Sequence, residues 1–340
     1  SARAPAKAPG AGALSVPGDK SAAFDVTALQ MTRPALTPLV GRKDEQGAIA
    51  ACLENAWVGR GGLLLIGGEP GVGKTRLAEV CLARGQDLGM LTLVGHAYEE
   101  RGAPFIVVVE IIEELLRILP DPVLERILGD SGAEVARLVP ALRDRFPGLP
   151  PPLDLAPEQQ QRYLFNAVLD MMRRLGATVP CVFLLDDLHW ADDSSMALIE
   201  HIVPHIANLP LLFVITYRDV AADMGQPFRR ALTAFNRLPS TSKMPLKQLT
   251  VDDMASLLAI LGGENPPDNL VTFIFEESGG NALYVQSVYQ SLAEENRLFD
   301  ENGAWRCDVT RDDLVVPDDI RLIIERRVER LDEITRALLV

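Results

Sequence analysis

"GGEPGVGKTR", residues 67–76, directly follows the apolar run Leu63-Leu64-Leu65-Ile66. Gly68, Gly73, Lys74 and Thr75 satisfy the spacing G-x-x-x-x-G-K-[ST], placed between an expected buried strand and an expected helix. Phosphates need backbone N–H groups at close range, and glycine lets a chain curl around them without Cβ clashes. A helix starting near Lys74 aims its positive dipole end at the same anion. Lys74 adds a point charge toward β and γ phosphates, and the Thr75 hydroxyl is a Mg²⁺ ligand. The expected lining of the loop is therefore Gly68, Glu69, Pro70, Gly71, Val72, Gly73, Lys74, Thr75 and Arg76. The bland alternative is a glycine-rich turn that only packs a helix on a sheet.

Working outward, Leu91 to Val94, Cys181 to Leu185 and Leu211 to Thr216 are further short apolar runs, as in strands buried on both faces. Helical patterns over Thr75 to Arg84, Phe105 to Leu119 and Gln159 to Leu175 separate them; the third aligns Leu164, Val168, Met171, Met172 and Leu175 on one face. Such alternation after about residue 60 predicts an α/β fold, a parallel sheet covered by helices. From about residue 246 the strands stop, and helices are expected over Val251 to Leu261, Asn269 to Glu277 and Leu283 to Glu294. "LFDENGAWRCDV", 298–309, reads as a hairpin turning through Asn302-Gly303, followed by a helical stripe of Ile320, Ile323, Ile324, Val328 and Leu331. The sequence stops at "RALLV", inside an apolar stretch with no stop signal, which reads as a cut through the last domain.

A phosphate loop calls for an acidic strand end, and "CVFLLDDLHWADDSS" (181–195) carries one. Ligands of open α/β sheets bind at the carboxyl ends of the strands, where this strand delivers Asp186 and Asp187. Asp186 is expected to hold Mg²⁺ through water, and Asp187 to orient or polarise the attacking water. Asp192, Asp193 and Ser194 are better placed to cap the next helix. His189 and Trp190 are read as packing that loop. "LLFVITYRD" (211–219) ends in Thr216, Tyr217 and Arg218 at the same edge, where an arginine can reach a γ-phosphate or pair with Asp219.

Composition bounds the rest. At 340 residues the chain has room for two or three domains. Its net charge of -14 argues against gripping nucleic acid or an anionic membrane by bulk electrostatics. Cys52, Cys81, Cys181 and Cys307 are scattered with no CxxC pair, which suits reduced thiols in a cytoplasm. No apolar run is long enough to span a bilayer. Residues 1–36 open "SARAPAKAPGAGALSVPGDKSAAF", rich in Ala, Pro and Gly, and read as a flexible linker.

Taken together, "LVGRKDE" (39–45), the phosphate loop, "LLDDLHWAD" (184–192), "TYR" (216–218) and "ESGGNALYV" (277–285) resemble the STAND ATPases, signal-transduction NTPases of the AAA-like P-loop class. The nearest subgroup is the bacterial one attached to LuxR-type regulators, class III nucleotide cyclases or protein kinases. The resemblance covers about residues 37–340 and implies a P-loop nucleotide-binding domain (37–245), a helical lid domain (246–297) and the start of a winged-helix domain (298–340). It implies ATP or ADP with Mg²⁺ as the switch ligand, Val40, Gly41 and Arg42 on the adenine and ribose side, and Arg218 as γ-phosphate sensor. Two departures stand out. The family's G-N-P has Ala282 after Gly280-Asn281, which removes the proline that packs on adenine. Lys43 follows the G-R pair where Glu is commoner, although Glu45 is retained.

The function so implied is a slow ATPase switch in a multidomain regulator, with a cyclase, kinase or DNA-binding output domain and homo-oligomerisation on activation. A ring-forming motor ATPase and a P-loop small-molecule kinase are the competing readings. A kinase needs an arginine-rich lid, and the segment after Arg218 carries only Arg229, Arg230 and Arg237 before apolar helices. His201 and His205 lack the glutamate of a zinc protease, and Asp308, Asp312, Asp313, Asp318 and Asp319 lack calcium-loop spacing. The histidines read as ordinary helix residues and the acids as a solvated face.

Overall fold

The computed structural model describes residues 39–99, 103–220, 223–263, 265–294, 297–299 and 305. The chain divides into two compact units. Of the described residues, one holds Asp44–Gly67 and Leu77–Pro245; the other holds 39–43, Gly68–Arg76 and those from Leu246 on.

The first unit is built on a parallel five-stranded sheet in the order β2-β3-β4-β1-β5. Its strands are β1 (Gly62–Gly68), β2 (Leu91–His96), β3 (Cys181–Asp186), β4 (Leu211–Arg218) and β5 (Thr241–Pro245). Every residue of β3 and the first six of β4 are buried, which is why these strands read as unbroken apolar runs. Phe183 and Phe213 face one another across that pair with rings stacked 4.8 Å apart. At the edge, β5 pairs with β1 in the register Leu63 to Thr241 through Gly67 to Pro245.

Among the helices carried wholly or mainly by this unit are α1 (Lys43–Trp57), α2 (Lys74–Asp87), α3 (Ile106–Ile118), α4 (Asp121–Leu128), α5 (Gly132–Val135), α6 (Ala141–Arg145), α7 (Pro157–Thr178), α8 (Asp193–Ile202) and α9 (Gln226–Phe235). The stripe expected on α7 is buried as a set: Leu164, Val168, Met171, Met172 and Leu175. Pro157 at its first turn costs nothing, since that N–H has no intrahelical partner to lose. Asp192 is the N-cap of α8, accepting from the Ser194 and Ser195 N–H groups. Regular structure begins earlier than the sequence suggested, because α1 precedes β1 and buries Ile49, Leu53 and Ala56.

The second unit contains α10 (Val251–Gly262), α11 (Asp268–Ser278) and α12 (Ala282–Glu294), within a residue or two of expectation. A Thr250–Asp253 capping box opens α10. Met254, Leu258, Ile274, Val285 and Leu298 form its core together with Val40. Gly262 permits close approach, since a Cβ there would lie 2.1 Å from the Trp305 ring. Phe299 and Trp305 form an antiparallel bridge, flanking the expected Asn302-Gly303 turn. That turn, the linker over 1–36, Cys307, the acidic group from Asp308 to Asp319, the stripe from Ile320 to Leu331 and the rest of the expected winged-helix start lie outside the described residues. No helix among the described residues is long and apolar enough to cross a membrane.

Candidate nucleotide site

The glycine loop leaves β1 at Gly68 and enters α2 at Lys74. Gly71 and Gly73 sit at φ +77° and +100°, where a side chain is strained. At Gly71 space matters too, since a Cβ would stand 2.4 Å from the Asn281 Oδ1. The Lys74 side chain is folded back beneath the loop, 7 % exposed, and its Nζ donates to the Gly68 and Glu69 carbonyls at 3.0 Å each. Thr75 and Arg76 lie in the first turn of α2, with Thr75 exposed.

Residues far away in sequence grip this loop. The Asn281 Nδ2 donates to the Pro70 carbonyl at 3.0 Å, and the Leu283 N–H donates to the Gly71 carbonyl at 3.1 Å. Arg42 Nη2 donates to the Val72 carbonyl at 3.4 Å and to the Lys247 carbonyl. The Glu69 carboxylate accepts from Gln248 Nε2 at 2.9 Å. Gly41 and Arg42 are both left-handed, at φ +63° and +57°, and a Cβ at Gly41 would fall 2.2 Å from the Asp253 carboxylate. Val40 and Ala282 pack into the apolar cluster of the helical unit.

The acidic strand end is held differently. Asp186, the last residue of β3, is 9 % exposed and accepts from Thr216 Oγ1 at 2.5 Å. The same Oγ1 accepts from the Asp187 N–H at 2.8 Å. One buried hydroxyl on β4 thus fixes both the carboxylate and the following peptide. Asp187 is left-handed at φ 51°, ψ 39°, a conformation asparagine and aspartate tolerate better than most residues. Its Oδ1 lies 3.7 Å from Nδ1 of buried His189, whose ring packs 4.8 Å from Trp190. Arg218, at the end of β4, stacks 5.4 Å over the Trp190 ring and pairs with Asp223 at 3.9 Å. Its carboxylate neighbour is therefore Asp223 rather than the adjacent Asp219, because successive side chains leave an extended segment in opposite directions. A Cβ on Gly67 would stand 2.5 Å from the Tyr217 ring, so that tyrosine demands glycine on the neighbouring strand. Burial, then the Asp219 charge, pushes the Tyr217 hydroxyl up to about 12.

A family model described as AAA ATPase domain matches residues 38–215, more than half of the chain. The chain belongs to that family. Its sheet and covering helices are those of a P-loop NTPase. An uncharacterized protein of Rhizobium meliloti (strain 1021) is 26 % identical over 280 residues, covering 76 % of this AAA ATPase chain and 25 % of the relative. The chain thus spans about a quarter of the length of that curated relative. Among solved structures, Drosophila ORC bound to DNA shares the fold with a TM-score of 0.50 at 13 % identity, over 94 % of this chain and 72 % of that one. A Signal Transduction ATPase with Numerous Domains (STAND) protein with a tetratricopeptide repeat sensor, from Pyrococcus horikoshii, gives a TM-score of 0.45 at 16 % identity, over 88 % of this chain and 34 % of that one.

The residues present in this AAA ATPase chain fit a nucleotide polyphosphate. A curve built on glycine, a buried ammonium and a helix N-terminus are the donor set that such an anion requires. The Thr75 hydroxyl and Asp186 carboxylate are hard oxygen donors of the kind Mg²⁺ takes. Other candidates stay ordinary. His201 on α8 bonds Asn166 Oδ1 at 3.1 Å and its ring lies 5.8 Å from His205. Among the described residues no group of three or more His, Cys, Asp or Glu is arranged to hold a metal by itself. A cavity of about 600 Å³, lined by Phe105, Arg137, Gln160 and Leu164 among others, takes in none of the loop or acid-pair residues. Asn281 and Thr216 are the two linking residues whose parts the sequence alone did not reveal. For Asn281 the glycine pair before it was the nearest signal, since Gly279 and Gly280, both at positive φ, mark a tight helix-to-helix junction.

Proposed function

We propose that this chain is an ATP-binding, slowly hydrolysing switch module of a bacterial signalling or transcription regulator. The observation that carries the reading is the grip of the helical unit on the glycine loop. Asn281, Leu283 and Arg42 bond three successive loop carbonyls, so whatever seats phosphates in the loop is felt by the helices that follow. In this reading Lys74, with Gly68 to Arg76, holds the phosphates, and Thr75 and Asp186 hold Mg²⁺. When bound, that ion neutralises charge developing on the transferred phosphoryl group. Val40, Gly41 and Arg42 face the adenine and ribose, Arg218 senses the γ-phosphate, and Asp187 orients the attacking water. An aspartate reaches one methylene less far than a glutamate, which suits slow turnover and a long-lived ATP state.

The resemblance to STAND ATPases supports a nucleotide-binding domain over 37–245, a helical lid over 246–297 and the start of a winged helix from 298. It also supports a cyclase, kinase or DNA-binding output domain and homo-oligomerisation on activation. Calorimetry with ATP and ADP, combined with single-turnover hydrolysis, tests the proposal. The expected result is nucleotide binding by the parent, loss of binding in Lys74→Ala, and turnover well below the roughly 1 s⁻¹ lower end of ordinary enzymes. Unchanged ATP affinity in Lys74→Ala would remove the site. A rate that climbs cooperatively with protein concentration would replace the switch with a ring motor.

A further inference from the structure

The grip on the loop has a directional consequence. A trans peptide is planar, and its C=O and the following N–H point in opposite directions. Asn281 Nδ2 holds the Pro70 carbonyl, so the Gly71 N–H is turned away from Asn281. The Leu283 N–H holds the Gly71 carbonyl, which turns the Val72 N–H the same way. The Glu69 carbonyl marks the direction of the second of these amides. It accepts from Lys74 Nζ at 3.0 Å and from the Val72 N–H at 3.4 Å. Ammonium and amide thus converge on one carbonyl, and an anion that draws the ammonium to itself lies beside the Val72 N–H.

We propose that Asn281 is a positioning residue that sets the loop amides of Gly71 and Val72 toward the phosphates. The proposal rests on the nucleotide-binding reading of the loop. Asn281 is 3 % exposed, and both ends of its amide are engaged. Its Oδ1 accepts from the Leu283 and Tyr284 N–H groups at 3.1 and 3.3 Å, capping α12, while its Nδ2 reaches the loop. The cap fixes the Leu283 N–H that bonds Gly71, so one side chain governs two successive loop peptides. The junction is built around this placement. Gly280 sits at φ +77°, and a Cβ there would meet the Leu249 carbonyl at 2.4 Å, while the Gly280 carbonyl accepts from the Leu249 N–H at 2.9 Å. Gly71 has its own Cβ position blocked by Asn281. Asparagine suits the position because it offers an acceptor and a donor at once.

Asn281→Asp and Asn281→Ser separate the two ends. Both keep a good helix N-cap oxygen. Aspartate loses the donor and sets a carboxylate against the Pro70 carbonyl, and serine is too short to reach it. ADP and AMP affinities are measured by competition, with thermal unfolding alongside, for the parent, both variants and Lys74→Ala. Misdirected amides weaken contact with the β-phosphate. ADP affinity should therefore fall about tenfold in the aspartate variant and about threefold to tenfold in serine, the scale of one lost hydrogen bond. AMP affinity should stay near the parent value, and the unfolding midpoint should fall by no more than one unmet buried carbonyl costs. Equal losses for ADP and AMP would make Asn281 a merely structural cap, and parent-like ADP affinity in both variants would remove the role altogether. If the parent binds no ADP, the loop reading itself fails and takes this inference with it. An early-melting aspartate variant leaves the uncharged serine variant to decide.

Discussion

The glycine loop and the acidic end of β3 both follow carboxyl ends of strands in one sheet, yet they are held by opposite means. The loop keeps its shape through backbone carbonyls, gripped by side chains and an amide from 30 to 212 residues away. The acid pair is tied together by a side-chain hydroxyl, Thr216 on the adjoining strand, which bonds Asp186 and the Asp187 peptide, while the Ala97 and Trp190 N–H groups hold the two carbonyls at 3.0 Å each. At Pro70, Gly71 and Val72 this anchoring acts on the backbone, whereas the Lys74 ammonium braces Gly68 and Glu69 from within the loop. Side-chain anchoring makes each residue of the acid end specific. The comparison teaches where substitutions should be felt: in the loop through distant partners, at the acid end through immediate neighbours.

The sharpest way to break the comparison is to remove one charge from the acid end. Asp187→Asn keeps size, hydrogen-bonding reach and tolerance for the left-handed backbone, and it leaves the Asp187 N–H on Thr216. Nucleotide affinity, which belongs to the loop in our reading, should stay within about threefold. Hydrolysis should fall about tenfold to a thousandfold, the scale of a lost general base. Single-turnover hydrolysis beside ATP·Mg²⁺ titration measures both. Equal hydrolysis in variant and parent would leave Asp187 a structural aspartate.

Thr216→Val is smaller in effect and sharpens the same contrast. Valine fills the same volume in a strand but leaves the Asp186 carboxylate and the Asp187 N–H without the shared hydroxyl. Unmet buried polar groups cost about 1–3 kcal/mol. Denaturant unfolding should show a loss of that order, and Mg²⁺-dependent nucleotide affinity should weaken with it. ADP affinity measured without Mg²⁺ should not change, because none of the loop's carbonyl bonds involves Thr216. A variant as stable as the parent would show that the acid pair is held by something other than this hydroxyl.

How much of this was legible beforehand follows from the same physics. The four apolar strands, β1 to β4, announced themselves because burial on both faces leaves little room for polar residues, as in Cys181–Asp186. The fifth strand, "TSKMP", buries only Met244 and pairs on one side, so its residues carried no such mark. Helix α1 stayed hidden because only Ile49, Leu53 and Ala56 are buried along its 15 residues. At the site, the glycines and Lys74 were visible because a phosphate cradle constrains local spacing. The grip of Asn281 on Pro70 was not, since a contact across 211 residues leaves no spacing rule. The carboxylate beside Arg218 was hidden for a related reason: adjacency offered Asp219 as the bland alternative to a phosphate, whereas Asp223, five residues on, is the one at 3.9 Å.

The smallest expected effect concerns the positive φ angles that the two regions share. In the loop they fall on Gly71 and Gly73; at the acid end the same kind of backbone is carried by Asp187 at φ 51°. A left-handed conformation costs an L-residue about 1–2 kcal/mol, with aspartate among the more tolerant. Glycine relieves that cost but raises the entropy of the unfolded chain, which offsets about 0.5–1 kcal/mol. Asp187→Gly should therefore leave stability unchanged or raise it by up to about 1 kcal/mol in urea unfolding, while hydrolysis is lost as in Asp187→Asn. The reverse exchange in the loop, Gly71→Ala, has no such balance, since its Cβ would press to 2.4 Å from Asn281 in addition to the strain at φ +77°. Strain kept at a residue whose side chain the fold does not need is what a working group looks like. Should Asp187→Gly instead lose more than about 1 kcal/mol, the carboxylate is held for structure, with the Nδ1 of His189 at 3.7 Å as its partner.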